Sequence, residues 1–113
     1  MPFVDIKSSK AIDHATRNVL QEEIVKIMPL IPGKDATNTL FAISDNYSMF
    51  KEHQPVDAVF VEVRMYKQSP HDAKKSFVSA ITPIFEKVLG VQPKYVNLNF
   101  TEMDTWAVGG DYF

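Results

Sequence analysis

Residues 3–7, Phe-Val-Asp-Ile-Lys, return almost unchanged at 60–64 as Phe-Val-Glu-Val-Arg. In both copies apolar and charged residues alternate, the period of a strand with one buried and one wet face. Val4, Ile6, Val61 and Val63 share one face; Asp5, Lys7, Glu62 and Arg64 share the other, where opposite charges can pair across neighbouring strands or line a wet interior. The echo extends outward. Residues 3–49 align with 60–106 without a gap, with identities at Phe3/Phe60, Val4/Val61, Lys10/Lys67, His14/His71, Ile24/Ile81, Ile27/Ile84 and Gly33/Gly90. Conservative pairs such as Leu20/Phe77, Met28/Phe85, Phe41/Leu98 and Ile43/Phe100 keep the same pattern.

After each strand the spacing turns helical. Ile12, Ala15, Val19, Leu20, Ile24, Ile27 and Met28 form one stripe; Ala73, Phe77, Ile81, Ile84, Phe85 and Val88 form the other. Ser69-Pro70-His71-Asp72 reads as a helix opening with Ser69 as N-cap, and Pro83 predicts a kink or break. Gly33 and Gly90 are expected to end the helices, with second strands near 38–44 and 95–101. The expected fold class is therefore α+β. Two βαβ repeats, about 2–50 and 58–106, form a single domain over 1–113, with a four-stranded sheet carrying both helices on one face. The bare face suggests packing against other subunits, and the tail Met103–Phe113 a short strand or hairpin that docks on a neighbour.

The 113 residues suit one two-layer core, and 45% apolar with 23% charged residues excludes a disordered chain. A formal charge of −2 with dispersed Lys and Arg gives no nucleic-acid footprint. No stretch approaches a membrane span, no leader pattern is visible and there is no cysteine, so a cytoplasmic, reducing home is the expectation. His14, His53 and His71 lack metal-ligand spacing, and no metal site is expected.

Pro2 is the candidate for chemistry. Once Met1 is removed it becomes a free secondary amine on a rigid ring. In a βαβ unit the start of the first strand and the entry to the second lie on one sheet edge, which makes Pro2 and Gly33-Lys34 prospective neighbours. Partial burial and a nearby ammonium both disfavour a charged amine, so Pro2 could act as a base while Lys34 holds an enolate oxygen. On the last strand Asn97 and Asn99 share a polar face with Thr101 and could orient a substrate's oxygens, even across a subunit boundary; their simplest reading is polar residues at a subunit contact. The rival reading is a ferredoxin-like βαββαβ module that binds a small ligand or a protein and does no chemistry.

These residues resemble the tautomerase superfamily, which includes 4-oxalocrotonate tautomerase, 5-carboxymethyl-2-hydroxymuconate isomerase and macrophage migration inhibitory factor. The resemblance rests on MPFVDIK (1–7), PGKDATNTLFAI (32–43) and YVNLNFTEMDTWAVGG (95–110); the stretch from Asn99 to Phe113 is also similar to a small bacterial branch. It implies a homotrimer of pseudo-sixfold appearance whose sheets line a central barrel. It also implies a cofactor-free keto–enol tautomerase of small 2-oxo or enol acids. Pro2 would be the catalytic base, Lys34 the lysine after glycine, Asn97 the position of a tyrosine in some relatives, and Asn99 a matching asparagine. The arginine of the short members' Gly-Arg-Ser turn is missing. Ser9-Lys10-Ala11 and Lys67-Gln68-Ser69 stand there instead, which removes the expected partner of a dicarboxylate.

Overall fold

Alternation at the chain start becomes strand β1 (Phe3–Ser8), with Val4, Ile6 and Ser8 buried and Phe3, Asp5 and Lys7 half-buried on the other side. The computed structural model describes residues 2–113; Met1, and with it the expectation of its removal, lies outside them. Chain order continues with α1 (His14–Ile27), β2 (Leu40–Ser44), β3 (Phe50–Lys51), β4 (Gln54–Pro55), β5 (Val59–Tyr66), α2 (His71–Leu89), β6 (Val96–Met103), β7 (Ala107–Val108) and β8 (Asp111–Tyr112).

The main sheet runs β2-β1-β5-β6. Within each half the strands are parallel, β1 beside β2 and β5 beside β6, while β1 and β5 meet antiparallel in the centre. Each helix thus connects strands that are direct neighbours. A ferredoxin-like sheet instead splits each βαβ unit by inserting another strand, so that rival topology does not hold. No helix of the described residues is long and apolar enough to cross a membrane.

Both helices cover one sheet face. Leu20, Ile24 and Met28 from the first helical stripe and Phe77, Ile81, Phe85 and Leu89 from the second, each at spacing four, meet Val4, Ile6, Val61 and Val63 in the core. Full burial of a side chain such as Phe77 stabilises by roughly 2–3 kcal/mol. The expected first stripe was too wide: Val19 is 44% exposed.

Three local expectations are corrected. Asp13, accepting the Thr16 amide at 2.7 Å, caps α1, but Ser69 does not cap α2. Pro70 holds that position, and the Ser69 amide donates to Glu102 instead. Helix α1 closes at Met28, five residues before Gly33. Pro29 brings no N–H to continue the ladder, and a 3₁₀ turn over Met28–Leu30 follows. Helix α2 passes through Pro83 unbroken, because Pro83 is exposed and water can satisfy the carbonyl its missing amide leaves behind. Gly90 does end α2, left-handed at φ 70°, with its amide on Glu86 O and that of Val91 on Phe85 O.

The uncovered face carries the charges, but they pair along strands and not across them. Asp5 stands directly opposite Glu62 in the register. Each carboxylate is met by the cation two residues on: Lys7 Nζ lies 3.4 Å from Asp5, and an Arg64 guanidinium nitrogen 2.9 Å from Glu62.

Candidate active site

Pro2 is buried where β1 begins, and its carbonyl accepts the Leu40 amide at 3.0 Å, binding this end of β1 to the start of β2. The hollow beside it, about 230 Å³, is lined by Pro2, Phe3, Leu40, Trp106, Ala107 and Val108. No charged side chain belongs to this lining. The tail builds one wall. Trp106 and Phe113 exchange backbone hydrogen bonds of 2.8 and 2.9 Å, and Gly109 and Gly110, at φ 60° and 89°, turn the chain between β7 and β8. The Phe113 ring then meets Tyr66 edge-on, with centroids 5.0 Å apart. The expected hairpin therefore exists, and Ala107–Phe113 stay exposed in the single chain.

Lys34 is half-buried in the loop that enters β2, so it belongs to the sheet end that carries Pro2, as the topology predicts. Its amide donates to Ile31 O at 3.1 Å. The loop is braced by Asn38 Nδ2 on Gly33 O at 2.8 Å and by Asp35, which accepts the Thr37 hydroxyl and amide. Those bonds from Thr37 hold the Asp35 carboxyl below its ordinary range. Lys34 is not among the residues that line the Pro2 hollow.

Asn97 and Asn99 are exposed on the open face of β6, opposite Phe60 and Glu62. Asn97 opens on a pocket of about 470 Å³ with Phe50, Lys51, Phe60, Lys94 and Tyr95. Asn99 borders a separate hollow of about 480 Å³ with His71, Lys74, Phe100 and Glu102. There Glu102 is fixed by Lys74 Nζ and the Ser69 amide, each at 2.6 Å. Burial works against its ionisation, yet these bonds and the Lys74 charge prevail and hold the carboxyl below its ordinary range.

Register places Pro2 and Asn97 at opposite ends, with Asn99 level with Asp5 between them. Phe3, next to Pro2, pairs with Arg64, whereas Asn97 pairs with Phe60, which faces Lys7 across the centre. Five residues of strand, roughly 16 Å, separate the Pro2 and Asn97 levels within one chain. Trp106–Val108, which wall the proline, carried no signal of that role in the sequence. Lys51 and Lys94, which border the Asn97 pocket, were not singled out in the sequence.

No protein-family model matches the chain, and no curated protein matches it. Solved structures do. A macrophage migration inhibitory factor of Leishmania major, MIF2, superposes at TM-score 0.92 with 19% identity, over 100% of this chain and 97% of that one. A native fused 4-OT gives 0.84 at 11% identity, over 96% and 94%. The structure of Pt0534 inactivated by 2-oxo-3-pentynoate gives 0.80 at 10% identity, over 96% and 93%. The fold and the proline-headed strand define an α+β chain built of two βαβ halves. Its fold is the one shared by the macrophage migration inhibitory factor and 4-OT tautomerase structures.

Proposed function

We propose that the chain, once Met1 is removed, is a cofactor-free keto–enol tautomerase of small 2-oxo or enol acids with Pro2 as general base. The observation that carries this reading is Pro2 itself: buried, at the head of β1, against a hollow without charged lining. Such surroundings disfavour a charged amine and favour the neutral nitrogen, whose lone pair can accept a proton. The neutral nitrogen removes a proton from the carbon beside the carbonyl, and the electron pair moves onto oxygen. Lys34, from the loop at the same sheet end, stabilises that enolate, and the protonated proline returns the proton to a different atom. The fold agrees with this chemistry. Pt0534, which shares it, is inactivated by 2-oxo-3-pentynoate, a 2-oxo acid.

Asn97 serves a substrate at Pro2 only if a second copy supplies it, because one chain holds the two at opposite ends, and Asn99, level with Asp5 at mid-strand, comes with it. The assembly that accomplishes this is a homotrimer closed through the open sheet faces, with sites at subunit contacts. Protein whose intact mass confirms loss of Met1 is assayed for ketonisation of phenylenolpyruvate, and the Pro2 nitrogen is titrated by ¹⁵N NMR. A rate above that of Pro2→Ala and a nitrogen that loses its proton near neutrality are expected. Equal rates in the two proteins would defeat the reading.

A further inference from the structure

The two sides of the proline hollow differ in how firmly they are held. Phe3 and Leu40 belong to the main sheet, whereas Trp106, Ala107 and Val108 belong to the β7–β8 hairpin, which is exposed from Ala107 to Phe113. At the tip of that hairpin, nothing lies within 4 Å of where a Cβ would stand on Gly109 or Gly110. The arm that ends in Phe113 grips the sheet through its ring on Tyr66. Tyr66 ends β5, and because Phe3 pairs with Arg64 it stands at the sheet end that carries Pro2. The next residue, Lys67, is held at φ 65°, a left-handed conformation unfavourable to lysine, with its amide on Met103 O at 2.7 Å. Strain of this kind persists where the surroundings impose it, and here it leaves Lys67 Nζ 5.1 Å from the centroid of the Tyr66 ring. Tyr66 thus has a cation and the Phe113 ring as neighbours. At about 230 Å³ the hollow is also smaller than the roughly 300–1,000 Å³ of ordinary ligand sites, so an aryl 2-oxo acid needs a wall that moves.

We propose that the β7–β8 hairpin is a strap over Pro2, and that Tyr66 is the positioning residue that holds it closed. Phe3 and Leu40 cannot give way without opening the ladder, since they pair with each other and the Leu40 amide is bound to Pro2 O. The hairpin can, turning on the exposed residues Asp104 and Thr105 that follow β6. Releasing Phe113 from Tyr66 frees its arm, and Trp106 and Val108 leave the proline with it. Closed, they complete the uncharged lining that favours a neutral nitrogen; open, they admit substrate and release product. An edge-on ring pair weights closed over open by about two- to tenfold, enough to hold the strap shut without locking it. The assignment rests on the tautomerase reading in one respect: the closed strap serves the proline's reaction. The strap itself is measurable without any substrate.

Trp106 is the chain's single tryptophan, so its fluorescence reports the strap directly. Acrylamide quenching is measured on Met1-free protein in its native oligomeric state, for the parent, Tyr66→Ala, Phe113→Ala and Tyr66→Phe. Quenching is expected to rise about twofold in both alanine variants and to keep the parent's value in Tyr66→Phe, which retains the ring. With phenylenolpyruvate, kcat/KM should fall about fivefold in the alanine variants and recover in Tyr66→Phe. Phe113 is 48% exposed, so its alanine variant should keep the parent's midpoint in urea and separates the strap from the core. Increased quenching with no turnover in any of the four proteins supports the strap while defeating the proline base. Quenching indifferent to both alanine variants would overturn the strap, and turnover that holds while quenching rises would overturn the positioning role of Tyr66. Dissociation of the oligomer in either alanine variant would overturn both, by making the ring pair a subunit anchor.

Discussion

The two ends of the central sheet are built from opposite materials. At one, a buried proline faces Leu40, Trp106 and Val108 with no charged neighbour in its lining; at the other, Asn97 shares its pocket with Lys51, Lys94 and Tyr95. An apolar end can keep an amine neutral but cannot hold an anion. A cationic end can hold an anion but has no base to move a proton. Under the function proposed above the two ends are half-sites, and the reaction belongs to an assembly of chains.

Breaking the proline end should have the largest effect on rate. Pro2→Ala in Met1-free protein is expected to lower kcat about 10²-fold or more, read by phenylenolpyruvate ketonisation, with circular dichroism unchanged. Breaking the core between helices and sheet should cost the most stability. Phe77 is fully buried and meets Phe100 edge-on at 5.9 Å, so Phe77→Ala should destabilise by about 3–5 kcal/mol in urea unfolding. The comparison is sharpened by mixing inactive partners. If Pro2 and Asn97 act from different subunits, trimers randomly assembled from Pro2→Ala and Asn97→Ala chains should place both native residues together in about a quarter of their sites. Activity that stays at the level of the separate variants would mean that the two ends do not cooperate. The smallest effect belongs to Glu102. Its carboxyl is held below its ordinary value of 4.5, so its stabilisation is complete above that pH and fades as pH falls through the lowered value. Glu102→Gln should therefore lose about 1 kcal/mol at pH 7, read by urea unfolding, and show a flatter acid limb than the parent.

Much of the fold was legible because the chain states it twice. Period-two alternation at 3–7 and 60–64, followed by spacing-four stripes, points to two βαβ halves; the strand order was not legible, because a ferredoxin-like sheet joins the same two strands at its centre. Helix ends were less legible. The glycine signal held at Gly90, where a left-handed cap was needed, and failed at Gly33, where a proline had already removed the donor. The β3–β4 hairpin left no trace: two-residue strands show no period, and a Glu-His turn lacks the Asn-Gly signature. For the proposed site, the sequence could put Lys34 in the loop that enters β2 and both asparagines on the open face of β6. It could not weigh the distance along the register, because polarity and spacing say nothing about which end of an antiparallel pair a side chain occupies.

One small contact bears on how the duplication can be handled. Lys10, in the turn after β1, donates from Nζ to the Leu89 carbonyl at 2.7 Å, and a Cβ added at Gly90 would come within 3.4 Å of that same nitrogen. The closing turn of the second helix is thus completed by the first repeat. Neither repeat is a spare part: a fragment expressed from residue 58 onward would lack both the strand beside β5 and the cation that finishes its helix. A circular permutant opened at Glu52–His53 would retain both.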